Sequence, residues 1–112
     1  MAEFMLLIRN GEPNNLSREE MQQIVRKYIA WAGKLRAEGR FKGGDEVQNN
    51  GHVLRKSGGK IQDTPYKDSP GAVGGYFLIE AENYDHAVEI AKECPGLDSG
   101  NSVEIRAVST YN

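Results

Sequence analysis

Two short stretches of the chain are apolar on every consecutive residue. One is Phe4-Met5-Leu6-Leu7-Ile8 and the other is Tyr76-Phe77-Leu78-Ile79. In an extended strand successive side chains leave on opposite faces, so an unbroken apolar run needs cover on both sides. Each stretch is too short to cross a bilayer or to form a signal-peptide core. They therefore read as central strands, over Glu3 to Arg9 and Gly75 to Ala81, and whatever folds around them has to supply two covering layers.

Between them lies a strong helix signal. Ser17 and Glu20 have capping-box spacing, and Leu16 can staple against Met21. Met21, Ile24, Val25, Tyr28, Trp31, Ala32 and Leu35 then recur along one stripe. Gly39 supplies a left-handed stop. Phe41 to Val47 is a short extended piece broken by Gly43 and Gly44. His52 to Lys56 and Lys60 to Asp63 form a hairpin through Ser57-Gly58-Gly59. Ser69-Pro70-Gly71 is a type II turn. Asn83 caps a second helix that ends at Cys94-Pro95-Gly96, and Ser102 to Val108 is the last strand, with Val103, Ile105 and Ala107 inward.

At 112 residues the chain makes one domain, 1–112. The order β-α-β-β-β-α-β fits an α+β class, a ferredoxin-like βαββαβ sandwich with an extra hairpin strand. Two helices hide only one face of such a sheet. Leaving the large side chains of the other face wet costs roughly 1.5–3 kcal/mol each relative to burial. An obligate homodimer, closed over the open sheet face, is the expected solution.

Composition narrows the function classes. With 38% apolar and 27% charged residues the chain belongs with ordinary globular proteins. A formal charge of −2 argues against nucleic acid as a partner, and no apolar run argues for a membrane. Cys94 is the lone cysteine, so no internal disulfide can form and a reducing cytoplasm is expected. His52 and His86 lack partners at metal-ligand spacing, so no metal is expected. Ser57-Gly58-Gly59-Lys60 lacks the strand–loop–helix setting of a phosphate loop, and Gly71-x-x-Gly74-Gly75 leads into a strand instead of a helix. No cofactor is expected.

The ordered pieces Phe4-Met5-Leu6-Leu7-Ile8, Tyr28-x-x-Trp31, Gly43-Gly44-Asp45-Glu46, Asp63-Thr64-Pro65-Tyr66, Gly74-Gly75-Tyr76-Phe77-Leu78-Ile79 and Cys94-Pro95 resemble the YCII-related proteins, in particular the branch named after an Asp-Gly-Pro-Phe loop (DGPF). The resemblance covers nearly the whole chain. It implies a dimeric α/β barrel with a small-molecule pocket between the long helix and the sheet. Relatives of that fold include cofactor-free isomerases, dehydrochlorinases and monooxygenases, and DGPF proteins are often associated with sigma factors. Where some YCII proteins place a catalytic histidine on the long helix, this chain has Tyr28. Tyrosine ionises at about pH 10 and is a poor base near neutrality.

The expected chemistry is cofactor-free isomerisation or elimination on a small polar organic molecule. Asp63 or Asp45 would take the proton while Tyr28 orients or polarises the substrate. Asp45 is expected to face the pocket in preference to Glu46, because adjacent carboxylates on a strand point to opposite sides. Trp31, Tyr66, Pro65, Gly44, Tyr76 and His52 complete the expected substrate-binding set. The alternative is a non-catalytic ligand-binding or interaction module linked to sigma-factor-dependent transcription.

Overall fold

The computed structural model describes residues 1–12 and 15–109; Pro13 and Asn14 of the first loop, and residues 110–112, lie outside the described residues. The elements run β1 (Ala2–Arg9), α1 (Arg18–Ala37), β2 (Phe41–Glu46), β3 (His52–Ser57), β4 (Lys60–Pro65), β5 (Val73–Ala81), α2 (Tyr84–Ala91), a 3₁₀ helix (Pro95–Ser99) and β6 (Ser102–Ala107). Four strands make one antiparallel sheet in the order β2-β5-β1-β6. With the hairpin set aside, this is the split βαβ topology of a ferredoxin-like domain.

The hairpin differs from the expected single extra strand. Both β3 and β4 form a separate two-stranded sheet. Every residue of β4, and every residue of β3 except Val53, is exposed. Gly58 and Gly59 turn it with φ of 58° and 76°, the two positive values that a tight hairpin turn with the right twist requires.

Strand alternation sorts the main sheet into two faces. Phe4, Leu6 and Ile8 of β1 share the helix side with Phe77 and Ile79 of β5, and all five are buried. Trp31 and Leu35 of α1 and Ala87, Ile90 and Ala91 of α2 close over them. Phe77 is the hub of this core. Its ring stacks on Trp31 at 4.5 Å between centroids and meets Phe41 edge-on at 5.1 Å.

The other face carries Met5, Leu7, Tyr76 and Leu78 in two adjacent rows of the β1–β5 pairing. These side chains are only half-buried and are fenced by ion pairs. Arg9 reaches Glu104 at 2.8 Å, Arg106 reaches the same carboxylate at 2.9 Å, and Lys42 reaches Glu80 at 3.0 Å. The hydrogen bonds from Arg106 and then Arg9 hold the Glu104 carboxyl below its ordinary value. No helix or strand of the described residues covers this face.

The capping box at α1 is formed as expected. Ser17 Oγ accepts from the Glu20 amide, and Glu20 Oε1 accepts from the Ser17 amide, both at 3.1 Å. Burial along the helix is uneven, however. Only Trp31 and Leu35 are buried, whereas Met21, Val25 and Ile29 are 50%, 52% and 67% exposed. The stripe that periodicity assigns to the core is core only in its C-terminal half. No described helix is long and apolar enough to cross a membrane.

Candidate small-molecule site

The N-terminal half of α1 stands over a cavity of about 390 Å³ at one end of the sheet. Leu16, Met21, Ile24, Val25, Tyr28 and Ile29 form its helix wall, and Ile8, Gly75 and Phe77 form its floor. Asn10, Asp45, Glu46, Gly74, Ser99 and Asn101 form a polar end. These come from the residue after β1, from β2 and β5, and from the 3₁₀ helix and turn before β6, which antiparallel pairing brings to the same end of the sheet. A concave, mostly apolar pocket with a few convergent polar groups is the usual form of a ligand site.

The polar end is anchored by backbone. Asn10 donates its amide to the Ala72 carbonyl at 2.8 Å and accepts from the Gly71 amide at 2.7 Å. Asn101 Oδ1 accepts from the Gly11 amide at 3.2 Å. Gly74 has no side chain where the Asn10 amide group lies, and a Cβ there would overlap it.

The two carboxylates of β2 lie on opposite sides of the sheet. Gly44 is opposite Phe77, Asp45 opposite Tyr76 and Glu46 opposite Gly75. Glu46 therefore shares the cavity side with Ile8 and Phe77, and Asp45 borders the cavity from a position that shares the Tyr76 side. This reverses the expected preference for Asp45. The register slips between Phe41 and Gly43, and the bulge exchanges the two faces for every residue after it.

Tyr28 is the one titratable group of the wall with a large perturbation. Burial first, and then its contact with Cys94 Sγ at 3.6 Å, raise its phenol far above the ordinary value. The phenol therefore stays protonated at any physiological pH and can donate or polarise but not take a proton. Its position is fixed sterically by Gly96, where an added Cβ would sit 2.5 Å from the phenol oxygen and 3.3 Å from Asn101 Nδ2. Replacing Gly96 with alanine is expected to displace Tyr28 and lower stability by about 1–3 kcal/mol. An unchanged urea midpoint in that variant would show that the phenol yields freely.

The other residues singled out from the sequence fall in three places. Trp31 and Gly44 are not among the lining residues and instead pack against the floor residue Phe77. Trp31 stacks on that ring with its buried Nε1 lacking a hydrogen-bond partner. A Cβ on Gly44 would come within 2.7 Å of Phe77 Cδ1, so this glycine lets the strand lie against the ring. Tyr76 lies on the opposite face of the sheet.

His52, Asp63, Pro65 and Tyr66 belong to the hairpin and its exit, outside the cavity wall. His52 Nδ1 and Asp63 Oδ1 are 2.9 Å apart, with side chains 74% and 56% exposed. The Tyr66 amide donates to Gly51 at 2.9 Å and closes the hairpin base. His52 and Tyr66 border a separate open hollow of about 590 Å³ that Lys67 and Pro70 also line.

Sequence reasoning placed Glu46 second to Asp45 and did not single out Asn10, Ser99 or Asn101 among the lining residues. Asn10 lies in a stretch that reads only as loop, and Ser99 ends a 3₁₀ helix that begins at Pro95, where the chain was read as simply ending a helix. No curated protein matches the chain. The model of the YCII-related domain, in contrast, matches residues 2–112, a span that takes in every strand of the sheet, both helices and the whole cavity wall, and on that match the chain belongs to the YCII-related domain family.

Proposed function

We propose that the cavity beneath α1 binds a small organic molecule and that the protein acts on it by cofactor-free acid–base chemistry, an isomerisation or an elimination. The observation that carries this reading is the convergence of Glu46, Asp45, Asn10, Asn101 and Tyr28 on one half-enclosed hollow. A carboxylate of β2 takes the substrate proton, with Glu46 better placed by register than Asp45. The protonated Tyr28 phenol donates toward the charge that develops, and Asn10 and Asn101 orient the molecule. Asp63, paired with His52 on the exposed hairpin, has its place in the hairpin and not in this step.

A second copy of the chain completes the assembly by covering Met5, Leu7, Tyr76 and Leu78, giving a dimeric α/β barrel with one cavity per subunit. Two such faces can approach to about 10 Å, the usual spacing of stacked sheets.

A second reading, a non-catalytic ligand-binding module of the kind found in transcriptional regulation, is favoured by one observation. The described residues of the wall include no histidine, and its tyrosine is already engaged with Cys94.

A metabolite panel followed by Trp31 fluorescence separates these readings. Binding that disappears when Ile24→Trp fills the cavity, and survives Asp63→Asn, is the expected result. The reverse pattern would move the site to the hairpin. Turnover that Glu46→Gln lowers by about 10²-fold or more, with binding retained, supports catalysis. Binding without turnover in the unaltered protein supports the sensor.

A further inference from the structure

The cavity wall has one sign of charge. Its polar end holds the Glu46 carboxylate, with Asp45 bordering it from the other side of β2, and the described lining residues include no lysine, arginine or histidine. The cations nearest the polar end along β1 and β2 are committed elsewhere. Arg9 is tied to Glu104 and to the Gly71 carbonyl at 2.8 Å each, and Lys42 is tied to Glu80.

The start of α1 is the other feature that could attract an anion, since helix N-termini carry partial positive charge. Here that end is already occupied by its own carboxylate. Glu20 closes the capping box on Ser17, with its carboxyl held below the ordinary value by those hydrogen bonds. Glu19 adds a second acidic group in the first turn.

The opposite wall is apolar and unusually wet. Met21, Val25 and Ile29 stand at i, i+4 and i+8 along the lip, each at least half exposed. An apolar ligand lying against them would remove that surface from water, at roughly 25 cal/mol per Å². Acceptors at one end and alkyl groups along one side describe a molecule with two ends.

We infer that the cavity selects an amphiphile with an apolar body and a cationic or hydrogen-bond-donating head, such as an amine on an alkyl or aryl frame, over a carboxylate or phosphate of the same size. The apolar body lies along the α1 lip and the head faces Glu46 and the asparagines. A carboxylate head would meet the like charge of Glu46, with no cation among the described lining residues to offset it and only neutral donors to replace its water. The inference rests on the reading of this cavity as the ligand site.

Three probes of equal length, hexylamine, hexanoate and hexanol, test both statements by titration at pH 7 with nuclear magnetic resonance shifts of α1 and Trp31 fluorescence as readouts. Trp31 reports because it stacks on the floor residue Phe77. Hexylamine is expected to bind about tenfold more tightly than hexanoate, the scale of a partly exposed charge contact counted once as attraction and once as repulsion. Glu46→Gln should bring that ratio to about twofold or less, with hexylamine losing more affinity than hexanol. Hexanoate binding as tightly as hexylamine, with hexanol also bound, overturns the head-group inference and leaves the cavity as a ligand site. Failure of all three probes to shift the α1 resonances overturns both.

Discussion

Replacing Phe77 with alanine is expected to lower stability by about 3–5 kcal/mol, the range for losing a large buried aromatic. The expectation is at the upper end because the ring has no single neighbour that could collapse into the gap. It stacks flat on Trp31 at 14° between planes, meets Phe41 at 74°, and lies 6.3 Å from Tyr28. It is also the floor of the cavity, so removing it would join that space to the hole behind it and bring water to Trp31. Denaturant unfolding should show the stability loss, and native-state fluorescence should shift to the red. A loss below about 1 kcal/mol would mean that the strand β5 and the helix α1 close together, and that the floor is not the rigid element described. Leu16 and Val25, at the outer lip, lack this position, and their truncation should be far milder.

The elements were legible because each has a local cause. The unbroken apolar runs of β1 and β5 required two covers, and the sheet does place Phe4, Leu6 and Ile8 toward the helices with Met5 and Leu7 on the other side. The Ser17 and Asn83 caps each accept the hydrogen bond their spacing foretold, from Glu20 and His86. Periodicity, however, identifies a face and not what that face meets. The stripe on α1 continues unchanged from Leu35 back to Met21, yet it leaves the core at Tyr28 because the sheet below it ends in small or polar residues, Gly75 and Asn10. The hairpin was recognisable from its turn and alternation, but its detachment from the sheet was not, since that depends on what fails to pack against it. The identity of the inward carboxylate turned on one bulge. Counting alternate residues from Phe41 puts Asp45 on the helix side, and the slip before Gly43 puts Glu46 there instead.

Leu7→Asp is expected to convert the proposed dimer to monomers at micromolar concentration. Leu7 sits between Tyr76 and Glu104 in the middle of the open face, where a twofold axis would bring it against the partner's sheet. The substituted carboxylate would be adjacent to Glu104, whose own charge is already engaged by Arg9 and Arg106 at 2.8 and 2.9 Å. No free cation of that network remains to meet it. An unpaired buried charge costs about 3–5 kcal/mol, and a symmetric interface contains the change twice. Even about 6 kcal/mol in total would raise the dissociation constant by more than ten-thousand-fold. Sedimentation velocity across a dilution series reads this directly. Leu54→Asp on the exposed hairpin serves as the control and should leave the dimer intact. If Leu7→Asp sediments as the unaltered protein does, the open face is not where two copies meet, and the half-exposed Met5, Leu7, Tyr76 and Leu78 are sheltered by their ion-pair fence alone.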